Sequence, residues 1–154
     1  MCPVRHDRGS FARLTSMGGG ADMTTRTASC SCGQLALECR GEPVRVSVCH
    51  CLDCQRRSGS AFAVQARWTE EDIASTGTVS YWTKRSEAGP SATFGFCPEC
   101  GVTAFYRLDS MPGLVAVPVG TFVDPQFPVP EYSIFEDRMH HWLSIDAEGL
   151  EHYP

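Results

Sequence analysis

The sequence predicts an all-β fold stapled by its cysteines. Three observations lead there. From Thr27 onward, apolar residues recur with a period of two, as on strands buried on one face. Turn residues cut this stretch into short runs. Nine cysteines among 154 residues fall mostly into three clusters, a density that suits a small sheet with a limited core.

The elements follow in order. Residues 1–26 carry Gly18-Gly19-Gly20, scattered Arg and Ser, and no period, so a disordered N-terminal tail is expected, with Cys2 inside it. Residues 27–154 are then one domain. Leu35, Leu37 and Cys39 alternate with Ala36, Glu38 and Arg40. Cys39 shares the phase of the leucines and reads as a buried small hydrophobe, not a ligand. Val44, Val46 and Val48 form a second strand pattern, closed off upstream by Gly41-Glu42-Pro43. Further β-rich runs lie at 61–68, 78–84, 92–96, 102–107 and 114–119. Gly77, Gly89-Pro90 and Ser110-Met111-Pro112-Gly113 mark turns between them. Thr69-Glu70-Glu71-Asp72 reads as a capping box opening a short helical turn. The segment from Asp124 to Pro130 holds Pro125, Pro128 and Pro130 and is expected as loop or edge.

Composition excludes several classes. Hydrophobic residues make up 42% and charged residues 20%, too apolar for a disordered chain. No run approaches the roughly 18 apolar residues of a membrane span. A net charge of −5 argues against nucleic acid and other polyanions as partners. The N-terminus lacks the apolar run of a secretory signal, so a cytoplasmic location with reduced thiols is expected.

Clustered cysteines in such a compartment point to metal. Cys97-Pro98-Glu99-Cys100-Gly101 is a turn that aims two sulfurs at one ion, with Gly101 free to fold the chain back. A closed tetrahedral site needs two more ligands, and Cys30-Ser31-Cys32-Gly33 is the best match. The second cluster is Cys49-His50-Cys51-Leu52-Asp53-Cys54. On a strand, Cys49 and Cys51 share a face with Ser47 and Arg45, while His50 points away with Val48. Cys54 can return to that face after a turn. Three sulfurs with an open fourth position is the pattern of a catalytic metal. His50 or Asp53 as a fourth ligand would instead close the site, and other groupings of the cysteines remain open.

Cys30-x-Cys32-Gly33, Cys49-His50-Cys51-x-x-Cys54-Gln55-Arg56-x-Ser58-Gly59 and Cys97-Pro98-x-Cys100-Gly101 together resemble the glutathione-dependent formaldehyde-activating enzyme family, which also includes centromere protein V-like proteins. The resemblance runs from about Thr27 to Trp142. It implies an Mss4-like, beta-tent fold and two zinc ions per chain. The structural zinc would sit on Cys30, Cys32, Cys97 and Cys100, and the catalytic zinc on Cys49, Cys51 and Cys54. It also implies a carbon–sulfur lyase-type reaction with a glutathione-like thiol and a small aldehyde as partners, such as formation of S-hydroxymethylglutathione.

The residues suit that chemistry. A soft thiolate site with an open position can take and deprotonate a substrate thiol. Gln55, Arg56, Arg57, Ser58 and Gly59 follow the third cysteine and are candidates for substrate binding, the arginines through carboxylates. Adjacent residues diverge, so one arginine is expected to face the site. Trp142, with His140 or His141, could wall the pocket, or could form a packed edge strand. The alternative function is a non-catalytic zinc-stabilised binding module, which would close the second cluster.

Overall fold

The computed structural model describes residues 24–85 and 90–154, so the expected tail lies outside the described residues up to position 23, as does Gly89. The chain runs β1 (Thr25–Ser29), β2 (Ala36–Arg40), β3 (Arg45–Cys49), α1 (Leu52–Ser58), β4 (Ala63–Thr69), β5 (Ile73–Thr76) and β6 (Ser80–Lys84). It continues through β7 (Ala92–Phe96), β8 (Thr103–Leu108), β9 (Leu114–Pro118), β10 (Tyr132–Ile134) and β11 (Glu151–His152). The fold is all-β with one short helix, as the periodicity predicts. Thr25 and Arg26 correct the tail boundary. They pair with Arg40 and Cys39 in the β1–β2 ladder, and Arg26 donates to both carboxylate oxygens of Glu42 at 3.0 and 2.7 Å.

Two sheets form. The smaller has the order β1-β2-β5, and the larger β11-β10-β3-β4-β9-β8-β7-β6. Neighbours are antiparallel except β10, which runs parallel to both β3 and β11. One face of the large sheet supplies Val46, Ala66, Trp68, Val115 and Val117 to a core completed by Ala28, Leu35, Leu37 and Cys39 of the small sheet and its turn. Trp68 is 1% exposed, and its indole N–H donates to the Gly41 carbonyl at 3.1 Å. Phe122 and Phe127 close over it, with ring centroids 5.6 and 6.4 Å away.

The opposite face of the large sheet is polar and aromatic where it should meet water. Directly paired positions run Trp82, Phe94, Tyr106, Ala116, Arg67 and Arg45 across six strands. Ser47 and Gln65 pair one step along. This face forms the floor of the site described below.

Two elements depart from expectation. Glu70–Asp72 is a 3-10 turn preceded by Thr69, but no side chain caps it. The Thr69 hydroxyl donates to the Asp72 carboxylate at 2.6 Å instead. The segment around Trp142 is no edge strand: a 3-10 turn at Glu136–Arg138 leads into irregular chain, and Trp142 is exposed.

Gly77 shows how tightly the small sheet meets the cysteine turns. Its φ is +97°, and a Cβ there would stand 1.8 Å from the carbonyl oxygen of Gln34. Gln34 in turn exchanges hydrogen bonds with the Thr78 backbone at 2.8 and 2.9 Å and donates to Cys97 Sγ at 3.0 Å. Gly77→Ala combines a left-handed backbone with a clash against main chain, for an expected loss of about 3 kcal/mol. Denaturant titration against the wild type checks it, and a loss within experimental error would contradict the clash.

Candidate functional site

The four-cysteine cluster is made by two hairpin turns. Cys30 and Cys32 lie in the β1–β2 turn, Cys97 and Cys100 in the β7–β8 turn. In each turn the first cysteine donates its backbone N–H five residues ahead: Cys30 to Leu35 and Cys97 to Val102, both at 2.9 Å. In each, a glycine with positive φ donates back to that cysteine's carbonyl: Gly33 at 3.0 Å and Gly101 at 2.9 Å. The four sulfurs lie within 4.8 Å of one another, with Cys30–Cys32 at 3.5 Å and Cys32–Cys97 at 3.6 Å. A tetrahedral zinc–thiolate site has sulfur–sulfur edges of about 3.8 Å, so the donor set fits a metal ion.

The surrounding N–H groups favour thiolate. Burial alone would raise Cys97, but the Gln34 amide and the backbone N–H groups of Cys100 and Glu99 bring it down to about 6. The Leu35 N–H reaches Cys30 Sγ at 3.3 Å. Cys30 and Cys97 lie in the core while Cys32 is exposed and Cys100 half-buried, so the cluster sits at the core's edge and offers four sulfurs to one ion.

The three-cysteine cluster is built differently. Cys49 ends β3, Cys51 is the N-cap of α1, and Cys54 lies in its first turn. Their sulfurs also lie within 4.8 Å of one another. The expected turn before Cys54 is therefore a helix, with the Cys51 sulfur in the capping role that Ser or Asp usually fills, accepting from the Cys54 N–H at 3.4 Å. The thiols of Cys49 and Cys54 both donate toward Cys51 and, with the Cys54 and Asp53 N–H groups, hold it far below the ordinary thiol value against burial. Donation to Cys51 drives Cys49 upward. Cys51 is the preferred thiolate.

Neither candidate fourth ligand joins them. His50 is fully buried on the other side of the strand, its Nε2 3.1 Å from Ser133 Oγ, and burial lowers its pKa. Asp53 forms ion pairs with Lys84 and, at 3.7 Å, with Arg56. The three sulfurs open instead into a cavity of about 420 Å³, walled by Phe94, Tyr106, Leu108 and Met111, roofed by Ile134 and Phe135, and floored by Gln65 and Arg67. Small-molecule sites span roughly 300–1,000 Å³.

The model of the glutathione-dependent formaldehyde-activating enzymes matches residues 25–138, which contain both cysteine clusters. The chain belongs to that family. Among solved structures, a Rhodobacter sphaeroides protein is similar in fold, with a TM-score of 0.52 and 23% identity over 64% of this chain and 91% of that one. No curated protein matches.

Within this family member, the five residues after Cys54 divide sharply. Arg57 reaches the cavity, its guanidinium 4.9 Å from the Tyr106 ring centroid. Arg56 is exposed and turns toward Asp53. The remaining three do not offer the hydrogen bonds expected of them, because the fold uses their polar groups. The Gly59 N–H closes the helix on the Gln55 carbonyl at 2.9 Å. The Ser58 hydroxyl lies 2.9 Å from the Cys54 carbonyl and 3.0 Å from that of Phe62. The Gln55 amide donates to the His50 and Arg138 carbonyls at 2.7 and 3.1 Å, with its oxygen 3.2 Å from His140 Nε2. His140 and Trp142 therefore abut α1 from outside and do not line the cavity. Arg67 and Gln65, which do line it, escaped the sequence reading. They sit at alternating positions in a strand pattern and look like an ordinary solvated face.

Proposed function

We propose that the protein is a zinc-dependent enzyme of carbon–sulfur chemistry, joining a glutathione-like thiol to formaldehyde and catalysing the reverse. The observation that carries this reading is the contrast between the clusters: four sulfurs gathered by two hairpin turns, a full tetrahedral set, and three opening into a cavity. Family membership supports glutathione and formaldehyde as partners. In the forward direction the thiol sulfur bonds to the aldehyde carbon, the C=O π bond breaks, and the thiol proton ends on the new hydroxyl oxygen.

We assign a structural zinc to Cys30, Cys32, Cys97 and Cys100, and a catalytic zinc to Cys49, Cys51 and Cys54. A zinc ion held by those three sulfurs would supply a Lewis acid for thiol deprotonation or carbonyl polarisation. The chain supplies the rest. Cys51, fixed at the N-cap of α1, and Cys49, fixed at the end of β3, would hold that ion and line the cavity. Phe94, Tyr106, Phe135 and Met111 exclude water and bring the two reactants together. Arg57 offers a guanidinium to a substrate carboxylate. No helix among the described residues is long and apolar enough to cross a membrane.

A native mass spectrum with and without glutathione tests this. We expect two zinc ions per chain and a glutathione adduct that disappears in Cys51→Ser. Two firmly held ions and no adduct with any small thiol would overturn the reading and favour the binding module.

A further inference from the structure

The floor of the cavity carries buried positive charge at Arg67 that no carboxylate among the described residues pairs with. Arg67 is 5% exposed. Its Nη1 donates to Ser47 Oγ at 3.1 Å, and among the described residues no carboxylate pairs with it. Arg57 enters the same cavity from α1 and keeps its Nη2 buried with no hydrogen-bond partner among the described residues. Gln65, 1% exposed, donates its amide to the Ser47 carbonyl and hydroxyl, each at 3.0 Å, and leaves Oε1 buried and unpartnered. Since its nitrogen faces a carbonyl, the amide orientation is fixed and the orphan is an acceptor.

Among the described residues, the charges lining the cavity are Arg57, Arg67, Lys84 and Asp53. They leave two positive charges in excess. A divalent metal on three thiolates carries one negative charge and offsets only half of that. Buried guanidinium groups need a counter-charge and filled hydrogen bonds. The orphaned Arg57 donor calls for an anion, and the orphaned Gln65 acceptor lining the same cavity for an N–H.

We propose that Arg67, Arg57 and Gln65 form a subsite for a carboxylate flanked by an N–H donor, the acid end of an amino-acid or peptide-like substrate. The planar forks of the arginines suit the two carboxylate oxygens, and Gln65 Oε1 takes the adjacent N–H. Ser47, bonded to both Gln65 and Arg67, holds the pair in place. That the other end of the ligand is a thiol turned toward Cys49, Cys51 and Cys54 rests on the function proposed above; the subsite itself does not.

Calorimetric titration of the metal-loaded protein separates the two. The probes are S-methylglutathione, which has the acid groups and N–H donors but no thiol, and cysteamine, which has the thiol but no acid. Arg67→Met and Arg57→Met are each expected to weaken S-methylglutathione by about tenfold or more while leaving cysteamine unchanged. Should the buried Arg67→Met fail to fold, Arg57→Met on the helix surface carries the test. Methyl esters of S-methylglutathione should bind wild type as weakly as the parent binds the variants. No binding of S-methylglutathione to the wild type, or equal binding to wild type and variants, overturns the subsite. Arginine-dependent binding of S-methylglutathione with no binding of cysteamine upholds the subsite and defeats the thiol–zinc reading instead.

Discussion

Cys97→Ser is expected to abolish the cooperative fold. Cys97 is fully buried, and its sulfur is bonded to the Gln34 amide and stands 3.6 Å from Cys32 Sγ. Serine is a harder, shorter ligand and leaves a void where the thiolate stood. A structural zinc contributes about 10–16 kcal/mol on binding, as much as the roughly 5–15 kcal/mol that separates a whole domain from its unfolded state. Losing it exceeds what the core between the sheets can cover. Thermal melting followed by circular dichroism, with metal content from mass spectrometry, reads both effects. A strong chelator should reproduce the loss in the wild type. A variant that melts within a few degrees of wild type with its metal complete would disprove the structural role.

Cys54→Ser should do the reverse: keep the fold and lose the chemistry. Cys54 lies in the first turn of a seven-residue helix with no buried residue, at the mouth of a cavity and outside the core. We expect one metal ion lost per chain and a stability change of about 1 kcal/mol, within the ordinary range for point substitutions. Formation of the glutathione–formaldehyde adduct should fall to the uncatalysed rate. A collapse in stability like that of Cys97→Ser would make both clusters structural and remove the basis for an enzyme.

The sequence revealed best what is local. Alternation marked β2 and β3 because their inward residues contact the core. The glycines after each cysteine pair announced two metal turns, since both turns require positive φ. Helix α1 was invisible for a physical reason. None of its residues is buried, so it leaves no apolar period, and a cysteine stands at its N-cap. Strands β10 and β11 were missed because they are three and two residues long and pair parallel with distant chain. Arg67 and Gln65 show a subtler limit. Alternating polar residues in a strand normally mean a wet face. Only the sheet order, with β4 between β3 and β9 and the helix and β10 folded over, makes that face an interior. For the five residues that follow Cys54, position next to a cysteine says little about direction. Of the five, Arg57 alone extends into the cavity.

The paired hairpin turns also dictate an order of assembly. Each turn presents two sulfurs as soon as its own hairpin closes, an event of about 1–10 μs. Joining the halves spans the 65 residues between Cys32 and Cys97, and closing such a loop costs about 4 kcal/mol of chain entropy. With the structural zinc proposed above, either two-sulfur half would hold the ion only weakly before the halves meet. Maturation would then be paced by the metal supply at a late step, and metal starvation would leave formed hairpins with unjoined sheets.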